Sequence, residues 1–238
     1  MSGHSKWSKI KRQKGSADSK RASLFTKLAK NITLAAKQGG GDPEMNFKLR
    51  LAMDKAKAAN MPKDNIDKAI KRGTGELAGG IIEEITYEGF IPGGVAIIIK
   101  ALTDNKNRAV SSIKHILTKY DGNLSGPNSV AWMFDQRGVI RLSNITNKEE
   151  VELKAIDAGA DDIIEENHDL TIYTTPNNLP TVKENLEKQG IEVEYAETEM
   201  VAKDKLDISS EQKLKLEKLF AELDENEDVD DYYTNSSV

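Results

Sequence analysis

Residues 4 to 30 carry His4, Lys6, Trp7, Lys9, Lys11, Arg12, Lys14, Lys20, Arg21, Lys27 and Lys30, interrupted by a single acid, Asp18. Side chains of these types make and break no bonds by themselves. Ammonium and guanidinium groups crowded this closely repel one another unless an anion neutralises them, and a phosphate backbone does so while releasing its counterions. The aromatic within the cluster, Trp7, is available to stack on a base or wedge into a groove; its alternative use is to anchor the basic arm on a helical core. A second group of cations, Lys106 and Arg108, stands in Thr103-Asp-Asn-Lys-Asn-Arg108 where a helix opens. Amides at such a position, with two cations beside them, are suited to hold a phosphate; the same residues also form an ordinary Asp or Asn helix cap with exposed cations.

Other chemistry finds little to stand on. The chain has no cysteine, which excludes disulfides, thiol catalysis and Cys-ligated zinc. Its three histidines, His4, His115 and His168, are scattered and none stands in metal-ligand spacing. The acid pairs Glu83-Glu84, Asp161-Asp162 and Glu165-Glu166 have no base or nucleophile beside them and read as solvated faces. Gly73-Thr-Gly75-Glu-Leu-Ala78 matches a dinucleotide fingerprint as a bare string, but it follows a helix and precedes a strand, the reverse of the order that fingerprint needs. The expectation is a protein without catalytic residues, metal, cofactor or small-molecule substrate.

Charge along the chain is segregated. Residues 1 to 76 hold 18 Lys and Arg against 7 Asp and Glu, a net of +11, while residues 77 to 238 have a net of −16. Such asymmetry implies an anionic partner confined to the basic end, with the acidic remainder left to meet protein partners. The opening has no apolar h-region, and the longest wholly apolar run after it, Val95 to Ile99, is far shorter than the roughly 20 residues of a membrane span. A cytoplasmic protein with no membrane partner is expected.

These cations must be positioned by elements, and the first of those are helices. Leu24, Phe25, Leu28, Ala29, Ile32, Ala35 and Ala36 recur at three- and four-residue steps, and Gly39-Gly-Gly-Asp-Pro43 ends that helix. Leu49, Ala52, Met53, Ala56 and Ala59 mark a second helix. Ile66, Ala69 and Ile70, between Pro62 and Gly73, mark a third. Lys37, Lys48, Arg50, Lys55, Lys57, Lys71 and Arg72 occupy positions outside these apolar stripes.

The period then changes. Strands are expected over 81–87, 95–102 and 129–134, with a helix over 105–120. A β-α-β-β-α-β run follows: 138–142, 148–157, 162–166, 170–174, 179–188 and 191–197, the order of a ferredoxin-like split βαβ unit. That unit shares its strand order with RNA-recognition motifs but lacks their aromatic signature. Tyr173 is an isolated candidate platform, and residues 135 to 206 carry a net charge of −9. A helix over 209–223 is expected to return to the 77–133 unit. The tail from Glu222, with seven acids in ten residues, reads as solvated and mobile. The fold class is therefore α+β in three domains: a basic helical nucleic-acid-binding domain over 1–76, a discontinuous central α/β domain over 77–133 and 207–238, and an acidic ferredoxin-like domain over 134–206.

Several stretches are familiar. Gly3-His-Ser-Lys-Trp7, Phe25-Thr-Lys-Leu28, Gly39-Gly-Gly-Asp-Pro43, Asn60-Met-Pro-Lys-Asp-Asn-Ile66 and Ile70-Lys-Arg-Gly-Thr-Gly75 closely resemble the YebC-like family. Tyr87-Glu-Gly89, Pro92-Gly-Gly94, Leu102-Thr-Asp-Asn105 and Asn107-Arg108 extend the resemblance over essentially the whole chain. It implies a three-domain α/β protein acting as a DNA-binding transcriptional regulator. Related mitochondrial translational activators, and bacterial members linked to translating ribosomes, imply as the alternative a translation factor contacting ribosomal RNA. The family supplies no catalytic residues and no fixed list of base contacts, so the candidate site rests on charge and position.

Overall fold

The computed structural model describes residues 18–166 and 169–236. Three helices come first: α1 (Asp18–Gly39), α2 (Phe47–Ala58) and α3 (Lys63–Gly73). Their apolar stripes converge on one core, with Leu28, Ile32 and Ala36 from α1, Leu49 and Ala56 from α2, and Ile66 and Ala69 from α3. Buried Asn46 fastens the glycine turn between α1 and α2. Its Nδ2 donates to the Ala35 and Gly40 carbonyls, both at 2.8 Å, and its Oδ1 caps α2 by accepting from the Leu49 amide. A buried amide so placed uses its donors and acceptor and fixes the entry angle of the helix. At the far end Gly73 is required because the backbones meet: a Cβ there would lie 2.4 Å from the Thr33 carbonyl oxygen.

Next come β1 (Glu83–Ile91), β2 (Val95–Thr103), α4 (Lys106–Lys119) and the three-residue β3 (Asn123–Ser125). Near the C-terminus, α7 (Ser210–Glu225) and β8 (Val229–Thr234) complete the same layer. The antiparallel sheet runs β3-β1-β2-β8. Ile97 and Ile99 pack with Ile113, Leu117, Leu219 and Phe220 of α4 and α7, while Ala96 and Ile98 face Val130, Phe134 and Tyr233. Strand β2 is thus buried on both faces, which is why it reads as an unbroken apolar run rather than an alternation.

Between these parts lie β4 (Phe134–Leu142), α5 (Lys148–Ala158), β5 (Asp162–Glu166), β6 (Asp169–Thr174), α6 (Leu179–Lys188) and β7 (Tyr195–Ala202). The second antiparallel sheet is ordered β5-β6-β4-β7, the arrangement of a split βαβ unit. Ile140, Leu142, Leu170 and Ile172 pack beneath α5 and α6. Overall the chain is a mixed α/β molecule with two antiparallel sheets. Among the described residues no helix is long and apolar enough to cross a membrane.

Three expectations fail. Residues 129–134 do not form a strand: Ala131–Met133 is a 3-10 turn, and β4 starts only at Phe134. The cause is buried Glu88, whose carboxylate accepts from the amides of Asn128, Val130 and Ala131, donors that a strand would give to a ladder. The acidic tail is not a solvated one. Its acids end α7 and enter β8, whose Val229, Tyr232 and Tyr233 are buried, because cations of α1 and α4 face them. Tyr173 is no open platform, since it is 5% exposed.

Candidate nucleic-acid interface

His4, Lys6, Trp7, Lys9, Lys11, Arg12 and Lys14 lie outside the described residues, as does the side chain of Lys20, whose backbone opens α1. The other candidates divide by the direction in which α1 and α4 turn them. Arg21 is exposed, with its guanidinium 5.4 Å from the Phe25 ring centroid. Two turns on, α1 meets the end of α7. There Lys27 Nζ donates to the Asp224 carbonyl at 2.6 Å, Lys30 Nζ to the Glu227 carbonyl at 2.9 Å, and Asn31 Nδ2 to the Asp230 carboxylate at 2.6 Å. The acidic segment 224–230 is thus hydrogen-bonded along the basic helix, with Lys30 and Asp228 as an ion pair within that contact.

At the centre of this contact is Asp228, 4% exposed. Arg108 grips it in a fork, Nε and Nη2 each at 2.8 Å, and Lys30 reaches the same carboxylate at 3.0 Å. Burial alone would push the Asp228 carboxyl up, but hydrogen bonds from Arg108 and Lys30 outweigh it and hold the group at about 2. Arg108 in turn is held above its ordinary value, chiefly by its bonds to Asp228 and then to Asp104. The two candidate clusters, far apart in sequence, therefore meet on one acid. Asn105 Oδ1 accepts from the Arg108 amide, so the opening of α4 is an Asn cap. Lys106 pairs with Glu83 at 2.6 Å.

The outward face is carried by α3. With Ile66 and Ala69 turned to the core, Lys68, Lys71 and Arg72 stand on the opposite side and Lys63 at the helix start, all exposed. Lys37, at the end of α1, is exposed beside Gly73. Among the described residues none of these five cations enters an ion pair. Asp64 and Asp67 share the face, so it carries four cations against two acids on α3 itself. The signal for this face is the sharp amphipathicity of α3, which the denser cluster upstream obscures in sequence.

The helical unit is held on its other side as well. Phe47 of α2 packs against the second sheet's core; Lys55 pairs with Glu197 and lies 5.8 Å from the Tyr195 ring. Among the described residues no group of three or more His, Cys, Asp or Glu is placed to hold a metal ion.

A profile described as the TACO1/YebC protein N-terminal domain matches residues 5–76, and one described as the TACO1/YebC second and third domain matches residues 82–236. A relative from Natranaerobius thermophilus is 48% identical, with 100% of this chain and 97% of the relative covered. Another from Geobacter sulfurreducens is 47% identical, with 100% and 96% covered. Both bear the name "probable transcriptional regulatory protein". The crystal structure of a conserved hypothetical protein from Aquifex aeolicus superposes with a TM-score of 0.87 at 41% identity, covering 97% of this chain and 96% of that one. With matched profiles spanning nearly its full length, the chain belongs to the TACO1/YebC family.

Proposed function

We propose that this protein is a non-catalytic, cytoplasmic regulator of gene expression that acts by gripping nucleic acid through its first 76 residues, with DNA and transcription as the principal target. The observation that carries this reading is the division of the cations. Lys27 and Lys30 of α1 and Arg108 of α4 are bound by the chain's own C-terminal segment, Lys27 at the Asp224 carbonyl and the other two at the Asp228 carboxylate. Those on the outer face of α3 and at Lys37 are left facing solvent. Like charges held together on a rigid surface are costly unless a polyanion neutralises them, and the densest basic stretch, residues 4–21, runs into the first of these helices.

The proposed grip is electrostatic. Arg21, Lys37, Lys63, Lys68, Lys71 and Arg72, with the cations of the arm, neutralise phosphates and release counterions. Lys27, Lys30 and Arg108 contribute by holding α1 against the first sheet, so that the basic surface is presented in one orientation, while Lys106 ties α4 to Glu83 of β1. The names borne by the relatives favour transcription. Lysines neutralise a backbone rather than read a sequence, and α2 carries mainly Lys and Ala rather than base-reading side chains, so specificity would come from other surfaces or from the partners met by the acidic part.

Crosslinking in growing cells, followed by sequencing of both DNA and RNA recovered with the protein, tests the reading. Enrichment of discrete promoter DNA is the expected result. Dominant recovery of ribosomal RNA would make the protein a translation factor, and recovery of neither would remove nucleic acid from its function.

A further inference from the structure

The turn at 126–133 is held more firmly than a surface connection needs. Glu88 is buried, and its carboxylate is satisfied by three backbone amides: Asn128 at 2.8 Å, Val130 at 2.8 Å and Ala131 at 2.9 Å. Asn128 takes a left-handed conformation, φ 64°, which for a residue with a Cβ costs energy that the three bonds offset. On either side of the next large side chain, Val130 and Phe134 are buried in the core that faces β2 and β8. What this frame presents is Trp132, 68% exposed. Its Nε1–H is spent on the Ser129 carbonyl at 3.1 Å. An indole docking against another protein commonly uses that donor across the contact; here it is used internally, and the ring is pinned with its π-surface in solvent.

The surroundings select the partner. The Lys203 amide donates to the Met133 carbonyl at 3.0 Å, so the end of β7 lies directly beside the turn. From Lys203 a cleft of about 500 Å³ opens over the helix-free face of the second sheet toward β8, bordered by Arg137, Lys203 and Lys205 and by the acids Asp135, Asp162 and Glu199. Glu199 is already neutralised by buried Arg141, 2.8 Å away, and Asp135 is shared between Lys203 at 3.5 Å and Arg137 at 3.8 Å, two cations on one acid. Residues 135–206 are strongly acidic, yet three of their eight Lys and Arg gather at this one place. A fixed, exposed aromatic face next to locally concentrated cations is the combination by which proteins hold single-stranded nucleic acid, the ring stacking on an unpaired base and the cations following its backbone.

The geometry points to a second nucleic-acid contact: Trp132 stacks on an unpaired base of a single-stranded segment whose backbone enters the cleft at Lys203, Lys205 and Arg137. It rests on the nucleic-acid reading above and adds a preference for unpaired strands. A duplex grips the basic helices equally well but offers Trp132 no free base.

The chain has two tryptophans, so Trp7→Phe makes Trp132 the sole reporter. Titrating that variant with an oligouridylate of about 10 nucleotides should quench its fluorescence, and a DNA duplex of similar length should bind without quenching it. In the otherwise unaltered chain, Trp132→Leu should weaken oligouridylate binding roughly 5- to 100-fold, Trp132→Phe should restore most of the loss, and duplex affinity should stay unchanged. Binding of both nucleic acids with Trp132 unquenched, and with Trp132→Leu as tight as the parent, would overturn the stacking contact and leave the proposed function standing. Absence of any binding by the parent would overturn both.

Discussion

Asp228 shows how one residue converts charge pattern into architecture. Its folded-state value, about 2, lies below the ordinary 3.8, so it contributes stability that is present in full above about pH 4 and lost as the pH falls toward 2. The contribution at neutral pH is on the order of 2 kcal/mol. Asp228→Asn should lower unfolding free energy at pH 7 by about that amount, since Arg108 and Lys30 keep a hydrogen-bond acceptor but lose the charge. Denaturant melts at a series of pH values check this: the parent should converge on the variant between pH 4 and 2, and parallel curves would show that the pairing is incidental. In the sequence Lys30 and Arg108 read as cations in want of an anion, which is correct as far as it goes. Their shared acid lies 198 and 120 residues away, and no local pattern announces a partner at that distance. At Glu88 the same limit applies. Its neighbours in sequence say strand, while the three amides it binds come from 40 residues downstream and beyond. Glu88→Gln leaves one amide group facing donors it cannot fully accept, and should cost about 1–3 kcal/mol, with the emission of Trp132 in the Trp7→Phe background shifting as the turn loosens.

Among the elements, legibility follows periodicity. The helices of the first 73 residues show their 3.6-residue stripe because one face alone is buried, and the split βαβ order is readable because its strands are flanked by turn residues and α6 buries Leu179, Val182 and Leu186 along one face; α5 is weakly patterned and leaves Leu153 and Ile156 exposed. Strand β8 breaks the rule. Asp230 and Asp231, with Asp228 just before it, give it the composition of a solvated tail, yet Asp231 accepts from the Tyr233 hydroxyl at 2.8 Å and Tyr232 stacks on Phe220 of α7 with centroids 4.9 Å apart. Composition records the acids but not the cations folded against them. A chain ended after Asn226 therefore loses the edge of the first sheet, Tyr232 from one core and Tyr233 from the other, and the carboxylate that fastens α1. Removing one large buried aromatic costs about 3–5 kcal/mol, and two together approach the whole stability of an ordinary domain. The truncated protein should fail to show a cooperative melt by circular dichroism near the parent's transition. A melt like the parent's would restore the tail to the status of a mobile appendage.

At the scale of the whole molecule, the net charge of −5 conceals two functions of charge that the fold separates. Asp228 of the C-terminal segment is used on α1 and α4, where it binds the helical unit to the first sheet; among the described residues, the exposed cations of α3 and Lys37 enter no ion pair. The separation makes a prediction that composition could not, because it assigns different consequences to lysines of the same helical unit. Lys68, Lys71 and Arg72 replaced together by Ala should weaken binding to any duplex alike. They should also flatten the dependence of log affinity on log salt by roughly 0.9 for each phosphate that is no longer neutralised, while leaving stability within about 0.5 kcal/mol, as expected of exposed side chains. Replacing Lys9, Lys11, Arg12 and Lys14 should act in the same way. Lys30→Ala should do the reverse, lowering stability by removing a ligand of buried Asp228 and leaving the salt slope unchanged. Measuring slope and melting temperature on the same three proteins separates the roles directly. If Lys30→Ala flattened the slope as strongly as the α3 substitutions did, the contact with Asp228 would have to open on binding, and the acidic segment would be a competitor of nucleic acid rather than a fastening.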